Sequence, residues 1–392
     1  MFSSNSSGVV VATTKAAVTV DAAAEIARQL TVDGLAMVLV FVSPFYDPHR
    51  FVAELTMHFA GKPVFGCTTA GELAPDGWEE NSIVALGFSA VDFTVVAQTI
   101  PDIANFRIED GHTIGAELRQ EMLLQAARAD GERCFGIVLV DGMCKREEVV
   151  TSALYASLSD IPVVGGSAGD GLRFGPTWVF ADGRACTNAA ALILVRTPLP
   201  FCVFKSDSFE PTSTKMVVTA ADPERRIVQE LNGEPAAEEY SRAAGVADAG
   251  LDLLSFASHP VLVRAGGTYH ARSILGVDPD GALHFACAID EGMVLTAATS
   301  RNPVEATLET FSRIRDEIGD VSICICFESI LRRLDTELNQ LDRTMSDLYR
   351  DNRVIGFHTY GEQYGSMHVN QTLTGVAIGR RPRPGESRTP PL

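Results

Sequence analysis

The feature that most constrains the fold is a phrase that occurs twice in the first half of the chain. It reads Pro-Val-Phe-Gly-Cys-Thr-Thr-Ala-Gly-Glu at 63–72 and Pro-Val-Val-Gly-Gly-Ser-Ala-Gly-Asp at 162–170. An apolar run and a helix-like segment precede each copy, and a second apolar run follows it. A spacing of roughly a hundred residues is too long for a solenoid repeat. We therefore predict one supersecondary unit used twice, over about 35–97 and 134–196.

The apolar runs that precede the two phrases, at 36–42 and 135–140, show little alternation between apolar and polar residues. Such runs are typical of strands that are covered on both faces of a sheet. A helix between two such strands makes each copy a crossover unit. The sequence therefore predicts the α/β class, in a mixed α+β form, with layered sheets in a duplicated N-terminal domain over 8–197.

The chain changes character after residue 197, where turn signals become more frequent. The pair Asn232-Gly233 is a strong tight-turn signal, and it lies among short apolar runs of strand length. We predict a second, α+β domain over 198–380. The segment 381–392 is rich in Pro and Arg and is predicted to be a disordered tail.

Helical patterns in the second domain cover 236–244, 303–318 and 331–352. The third pattern is highly charged, and its apolar residues are three or four positions apart, at Leu331, Leu334, Leu338, Leu341, Met345 and Leu348. This spacing predicts a helix with a narrow apolar seam. The seam either packs on the sheet of its own domain or joins two copies in a homodimer, or a copy to a partner.

The net charge and the cysteine content limit the classes of function that the sequence allows. The formal net charge of −18 excludes binding to nucleic-acid phosphates or to an anionic membrane surface, since no basic stripe offsets it. The sequence contains neither a secretory leader nor a long apolar span, so we expect a cytoplasmic protein. The eight cysteines include no Cys-x-x-Cys pair. Cys324 and Cys326 fall on one face of a predicted strand, where buried reduced thiols are expected rather than metal or disulfide chemistry.

Taken in chain order, these phrases resemble the FIST family of sensory proteins over about 10–380. In the N-terminal part the resemblance rests on 66–72, 165–170 and 177–183. In the C-terminal part it rests on 232–236, 259–260, 272–274, 289–292, 356–362 and 370–372. Membership would imply ligand sensing beside signalling proteins, and no enzymatic activity.

Two segments narrow the resemblance. Cys-Phe-Glu-Ser-Ile-Leu-Arg-Arg at 326–333 and the block at 360–372 resemble the nitric-oxide-sensing haemoproteins of this family, called NosP. That resemblance implies haem b, with its iron, as the cofactor and nitric oxide as the ligand. It also implies signalling through a histidine kinase or a related two-component partner.

A b-type haem needs an axial ligand, usually an imidazole, and an apolar slot. His259 is the first candidate for the metal ligand, because the proline that follows restricts its backbone and an apolar strand comes next. His368 is the second, and His358 and His270 follow. The remaining histidines, at 49, 58, 112 and 284, are expected on helix surfaces or facing solvent.

Arg264 and Arg272 are the candidates for pairing with the haem propionates, since a guanidinium matches a carboxylate at two points. Nitric oxide bound to ferrous haem can weaken the bond from iron to the histidine on the opposite side. The element that carries this histidine would then be released, which gives a two-state change that a partner could detect.

Two other functions remain open from the sequence. A haem-free sensor of an amino-acid-like molecule would use a polar pocket at the repeated turns, lined by Gly71, Gly169, Gly361, Glu72, Asp170, Tyr360 and Glu362. An enzyme would use Cys67 as a nucleophile, with Glu72 and Glu362 as acids. Carboxylates in such turns often accept backbone N–H groups instead.

Overall fold

A computed structural model describes residues 8–30, 34–125, 132–158, 160–246 and 250–381 of the chain. Apart from residue 381, the predicted disordered tail lies outside the described residues. The fold contains both helices and strands, and the strands form several sheets. The predicted mixed α/β class is therefore confirmed. Among the described residues, no helix is long and apolar enough to cross a membrane.

The first two units have the same order of elements: strand, helix, strand, helix and four further strands. The first unit consists of β1 (Val9–Thr14), α1 (Thr19–Gln29), β2 (Leu35–Val42), α2 (Pro48–His58), β3 (Val64–Thr68), β4 (Glu72–Ala74), β5 (Gly77–Glu79) and β6 (Ile83–Ser89). The second consists of β7 (Thr94–Pro101), α3 (Ile108–Leu124), β8 (Arg133–Val140), α4 (Glu147–Leu158), β9 (Val163–Ser167), β10 (Val179–Ala181), β11 (Arg184–Cys186) and β12 (Ala189–Thr197).

A third unit follows the same plan, but an insert over 207–302 interrupts it after its first strand, β13 (Phe201–Ser206). The insert contains β14 (Phe209–Asp222), β15 (Ile227–Leu231), β16 (Glu234–Pro235), α5 (Ala236–Ala244), α6 (Leu253–Ser258), β17 (Val261–Ala265), β18 (Thr268–Arg272), β19 (Ile274–Val277), β20 (Leu283–Phe285) and β21 (Val294–Ser300). The unit then resumes with α7 (Pro303–Ile318), β22 (Val321–Ser329), α8 (Ile330–Leu338), α9 (Asp342–Asp351), β23 (Val354–Thr359), β24 (Glu362–Tyr364), β25 (Met367–Val369) and β26 (Leu373–Gly379).

The three units exchange hairpins in a cycle. The strand orders are β1-β6-β2-β3-β10-β11, β7-β12-β8-β9-β24-β25 and β13-β26-β22-β23-β4-β5. Each six-stranded sheet therefore takes its last two strands from another unit. Because strands before and after the predicted boundary at 197 share sheets, that boundary stays a prediction, although it coincides with the start of the third unit.

The inner faces of the three sheets form one shared apolar core. Phe41 of β2 lies against Phe357 of β23, with ring centroids 4.7 Å apart, and Phe327 of β22 lies 5.6 Å from Phe357. The outer faces are covered by helices: α1 and α2 on the first sheet, α3 and α4 on the second, α7 and α9 on the third. The central strands are thus buried on both faces, as their unbroken apolar runs predict.

The prediction of a single helix over 331–352 is wrong. The chain forms α8 and α9 instead, and between them Gln340 adopts a left-handed backbone with φ 57°, which a helix does not contain. Most of the predicted seam is buried inside the protein, while Leu338 at the break is 52% exposed. The homodimer stays a prediction.

Candidate functional site

The predicted haem-binding residues do not converge on one cavity, although Arg272 contacts His368. His259 caps the end of α6, and its Nδ1 lies 3.0 Å from the carbonyl oxygen of Ser255. It lines a cavity of about 750 Å³ whose other walls are largely polar, including Ser258, Ser300, Asn302, Asp335 and Asn339. A polar cavity of this kind does not provide the apolar slot that haem requires.

His368 on β25 is fully enclosed. Its Nδ1 lies 3.4 Å from Gln363 Nε2 and its Nε2 lies 3.5 Å from Asn370 Nδ2. A Cβ added at Gly361 would lie 2.2 Å from its Cε1 and 2.8 Å from its Nε2, so the backbone of Gly361 packs closely against the ring. Burial lowers the pKa of His368 to about 4, which keeps the ring neutral.

The two predicted arginines are also apart. Arg272 Nη1 donates to the carbonyl oxygen of His368 at 3.4 Å, which joins the insert to the third unit. Arg264 is exposed and lies over the ring of Tyr269, 6.0 Å from its centroid. Within the described residues, no hydrogen bond or ion pair links either arginine to His259. The assignment of these residues to haem stays a prediction.

His270, the fourth candidate from the sequence, lines a cavity of about 1010 Å³ together with Met367 and Tyr364. Its Nε2 lies 2.9 Å from Thr268 Oγ1, whose own proton is donated to the Ala265 carbonyl. The Nε2 atom is therefore the protonated one, and Nδ1 is an acceptor. This Nδ1 is buried and has no hydrogen-bond partner among the described residues. Burial and nearby Lys205 lower the pKa of His270 and keep it neutral.

His358 on β23 is completely buried and lines neither the cavity of His259 nor that of His270. The ring is 0% exposed, and its Nδ1 is 3.4 Å from Glu328 Oε2. The edge of Trp78 closes the other side, with ring centroids 5.3 Å apart. Burial lowers the pKa of His358 well below its usual value, so the neutral ring serves the packing of the interior.

The repeated turns meet at the junction of the three units instead of forming a pocket. The Ala70 amide donates to the His358 carbonyl at 2.8 Å, and the Gly169 amide donates to the Thr68 carbonyl at 3.0 Å. The Ser167 amide completes the cycle by donating to the third turn, at 2.8 Å. These phrases therefore hold the units together.

The acids that follow two of these turns have equivalent surroundings. Glu72 accepts hydrogen bonds from Thr69 and Ser82, and Glu362 accepts them from Thr359 and Thr372. Both carboxyl groups are 0% exposed. Burial raises the pKa of Glu72 to about 7 and the pKa of Glu362 to about 8. Glu72 and Glu362 are therefore enclosed in the interior and do not form the polar pocket that the haem-free hypothesis predicts at these turns.

Cys67, the nucleophile of the enzyme hypothesis, is completely buried. Burial raises the pKa of its thiol well above the usual value, so it is neutral at physiological pH. A reactive cysteine needs an accessible thiolate. The surroundings of Cys67 therefore weigh against this residue as a nucleophile.

A different cavity, of about 310 Å³, lies between the insert and the second and third units; we call it the interunit cavity. Its lining residues are Gly142, Met143, Lys145, Glu147, Phe174, Arg226, Ser273, Leu275, Gly276, His284, Phe285, Ala286, Ser329, Ile330, Leu331 and Tyr360. Its volume falls in the range of small-molecule sites, about 300–1,000 Å³. Tyr360 is its one lining residue from the polar pocket predicted at the turns.

One wall of the interunit cavity carries a buried ion cluster. Arg226, in the turn between β14 and β15, has its Nη2 2.6 Å from a carboxylate oxygen of both Glu147 and Glu148 at the start of α4. Its Nη1 donates to the Ala286 carbonyl at 2.5 Å. Burial raises the pKa of Glu147 to about 7, and the charge of Arg226 opposes that rise.

Another part of the lining is aromatic and apolar. Phe174 stacks on Tyr360, with ring centroids 4.8 Å apart and ring planes 26° apart. The hydroxyl of Tyr360 accepts hydrogen bonds from the amides of Asp170 and Phe174, at 3.0 and 3.1 Å. Ser273 lines the same cavity, is 1% exposed, and its Oγ has no hydrogen-bond partner among the described residues. Charged, aromatic and free hydroxyl groups thus converge on a single opening.

Reasoning from the sequence missed this cavity because it concentrated on histidines and on the glycine turns. Arg226 and Glu147 are 79 positions apart, and neither belongs to a recognised phrase. The available signal was the charged run Lys-Arg-Glu-Glu at 145–148, which opens a helix in an otherwise apolar unit.

Two family models match the chain. A family model described as the FIST N domain matches residues 36–234. A second, described as the FIST C domain, matches residues 236–365. No curated protein matches the chain. The two matches cover most of the sequence, and the chain therefore belongs to the FIST family, whose domains are sensory domains for small ligands.

Proposed function

We propose that the chain senses a small organic ligand, which binds without haem in the interunit cavity. The observation that carries this proposal is the position of the ion cluster. Arg226 comes from the insert and Glu147 from the second unit, and both line the cavity at a separation of 2.6 Å. A ligand in this cavity contacts the groups that tie the insert to the remainder of the protein.

This arrangement offers a way to transmit binding. A ligand shifts a conformational equilibrium only if it binds one arrangement better than another. A polar ligand that competes for Glu147 or Arg226 weakens the tie, and a ligand that bridges them strengthens it. In either case the insert changes its position or mobility relative to α4, which a partner could detect.

Filling the cavity tests this proposal. Gly276 lines the interunit cavity, its φ is not positive, and a Cβ there meets no atom within 4 Å. Gly276→Leu should therefore fold and occupy the space. Gly250→Leu, at another open glycine of the insert, is the matched control.

The measurement is the melting temperature of the full chain with each of the twenty free amino acids, with nucleosides and with short carboxylic acids, added singly. A ligand that binds the folded state raises the melting temperature. We expect at least one probe to do so in the wild type and in Gly250→Leu, and not in Gly276→Leu. A probe that stabilises all three proteins equally would place binding elsewhere and contradict the proposal.

The second candidate is a haem b site for sensing nitric oxide, and one observation favours it. His270 has a buried acceptor Nδ1 with no hydrogen-bond partner in the described part of the chain, and it lies in the wall of a cavity of about 1010 Å³ that Met367 also lines. A neutral imidazole nitrogen suits iron. Lys205 and Arg313 line the same cavity and could pair with propionates. The bound iron would supply the position that takes nitric oxide.

An absorption spectrum with and without added hemin tests this second candidate. If His270 is the ligand, His270→Ala should lose the Soret band of the bound form, while His259→Ala and the surface variant His112→Ala keep it. Loss in His259→Ala alone would instead support the ligand predicted from the sequence. The absence of a hemin-dependent Soret shift in the wild type would exclude haem.

The resemblance to haem-containing relatives also implied a histidine kinase or related two-component partner. This partner, the homodimer and the cytoplasmic location stay predictions. The net charge of −18 favours a partner with a basic docking surface.

A further inference from the structure

We infer that the ligand of the interunit cavity is a small amine, which binds as a cation through Glu147, with Glu148 as the second acid of the same ion cluster. This inference rests on the proposed function of the cavity and names the chemical class of its ligand. It is carried by the charge balance of the ion cluster and by the groups that surround it.

The ion cluster holds two carboxylates and one cation. A single nitrogen of Arg226, Nη2, lies 2.6 Å from both Glu147 and Glu148. The other terminal nitrogen, Nη1, is directed to a backbone carbonyl instead of a carboxylate. Buried charges in proteins are normally paired. The cluster therefore holds one more carboxylate than cation; Glu147 lines the cavity, and Glu148 beside it has a side chain that is 31% exposed.

The nearby cation Lys145 does not supply this charge inside the cavity. Lys145 is exposed, and its Nζ donates to the Arg225 carbonyl at 3.2 Å, so its charge is solvated at the rim. Two other titratable groups near the cavity have partners of their own. His284 Nε2 lies 2.8 Å from Asp278, and Asp141 accepts hydrogen bonds from Thr177 and from backbone amides.

The remaining walls suit the rest of an amine. The stacked rings of Phe174 and Tyr360 offer π faces that attract a cation or pack against an aromatic ring. The Ser273 Oγ, which has no hydrogen-bond partner in the described ranges, can accept an ammonium N–H. Leu275, Ile330 and Leu331 add apolar surface. A cavity of about 310 Å³ limits the ligand to a small molecule.

Three probes of nearly equal shape and different charge test the inference on the full chain. These are 2-phenylethylamine, which is cationic at pH 7.5, phenylacetate, which is anionic, and 2-phenylethanol, which is neutral. Isothermal titration calorimetry measures each affinity. We expect the amine to bind at least about tenfold more tightly than the other two, a difference of about 1.4 kcal/mol.

Charge-neutral variants locate the site. Glu147→Gln and Glu148→Gln should each lower the affinity for the amine by about tenfold or more. Glu109→Gln removes an exposed acid from the equivalent first turn of α3 and should leave binding unchanged. Glu148, with its side chain 31% exposed, keeps the test interpretable if Glu147→Gln folds poorly.

The outcomes separate this inference from the proposed function. If phenylacetate or phenylethanol binds as tightly as the amine and Gly276→Leu abolishes that binding, the cavity is a ligand site and the amine class is wrong. If the amine binds but neither Gln variant weakens it, the carboxylates are not the site. If none of the three probes binds, the inference fails, and the broader probe panel decides the proposed function independently.

Discussion

Gly66 on β3 packs against the carbonyl group of Val40 on β2 so closely that a Cβ would lie 1.9 Å from the carbonyl oxygen. Gly165 and Gly356 occupy the equivalent positions in the other two units, with corresponding distances of 1.9 and 1.8 Å. Any larger residue would force the central parallel pair of strands apart. The glycine in the repeated phrase is therefore a requirement of the sheet and not of a ligand site.

Replacing this glycine should destabilise the protein. Gly165→Ala introduces a Cβ that overlaps the Val138 carbonyl, and overpacking of this kind typically costs about 1–3 kcal/mol and occasionally more. The free energy of unfolding from urea titration measures the effect. Gly250→Ala, where a Cβ meets nothing within 4 Å, is the control and should be nearly neutral. Equal stability of the two variants would contradict this account.

Glu362→Gln should destabilise the third unit. Glu362 Oε2 accepts from both the amide and the hydroxyl of Thr372, and Oε1 accepts from the hydroxyl of Thr359; the NH₂ of a glutamine takes one of these two places and meets a donor there, which leaves a buried polar group unsatisfied unless the hydroxyl turns. Such a group costs about 1–3 kcal/mol. Unfolding by urea measures the loss, and the exposed acid Glu117 provides the control Glu117→Gln.

The same variant has a pH signature. Burial raises the pKa of Glu362 from 4.5 to about 8, so the wild type loses stability as pH rises between these values. Glutamine does not titrate. The destabilisation by Glu362→Gln should therefore be larger at pH 5 than at pH 8.5, and a difference of the opposite sign would argue against a buried, protonated carboxyl.

Arg226→Met should strongly destabilise the contact between the insert and α4. It leaves Glu147 buried without its cation, and breaking one side of a buried pair costs about 3–5 kcal/mol. Hydrogen exchange of 207–302 and urea unfolding measure the effect. Adding Glu147→Gln and Glu148→Gln to this variant should recover part of the loss, since no unpaired charge remains. A loss that these substitutions leave unchanged would show that packing, not charge, accounts for it.

His368→Gln should change how stability depends on acid. The pKa of His368 is about 4 in the folded state against 6.5 for a free histidine, because burial disfavours the charged ring. The unfolded chain therefore takes up a proton first, and the wild type loses stability as pH falls from 6.5 towards 4. Between pH 7.5 and 5.0, the free energy of unfolding of the wild type should fall by about 2 kcal/mol more than that of His368→Gln. The control variant His112→Gln, at an exposed position, should show the same dependence of stability on pH as the wild type.

Local patterns predicted local structure well. The helices at 236–244 and 303–318 are confirmed to the residue, and the unbroken apolar runs at 36–42 and 135–140 are buried central strands. Periodicity and the absence of alternation reflect burial directly, so they can be read without knowledge of distant contacts. The break in 331–352 was missed because no glycine or proline marks it.

The third copy of the unit was missed for a different reason. Its phrase, Gly-Phe-His-Thr-Tyr-Gly-Glu at 356–362, supports the family resemblance, but it differs too much from the first two copies to predict a third repeat. The insert over 207–302 separates its first strand from its first helix, and no Pro-Val pair precedes the glycine. The cyclic exchange of hairpins depends on pairing between strands such as β4 and β23, which no local pattern encodes.

The sequence by itself determined the class of fold, the doubled phrase and the family, because these depend on residue order and on burial along single elements. The tertiary structure alone decided that the repeated turns are junctions and that the predicted haem residues do not converge on one cavity. It also decided that Arg226 meets Glu147 across the interunit cavity. The physical reason is that a site needs side chains to converge in space, and here the converging groups are 79 positions apart.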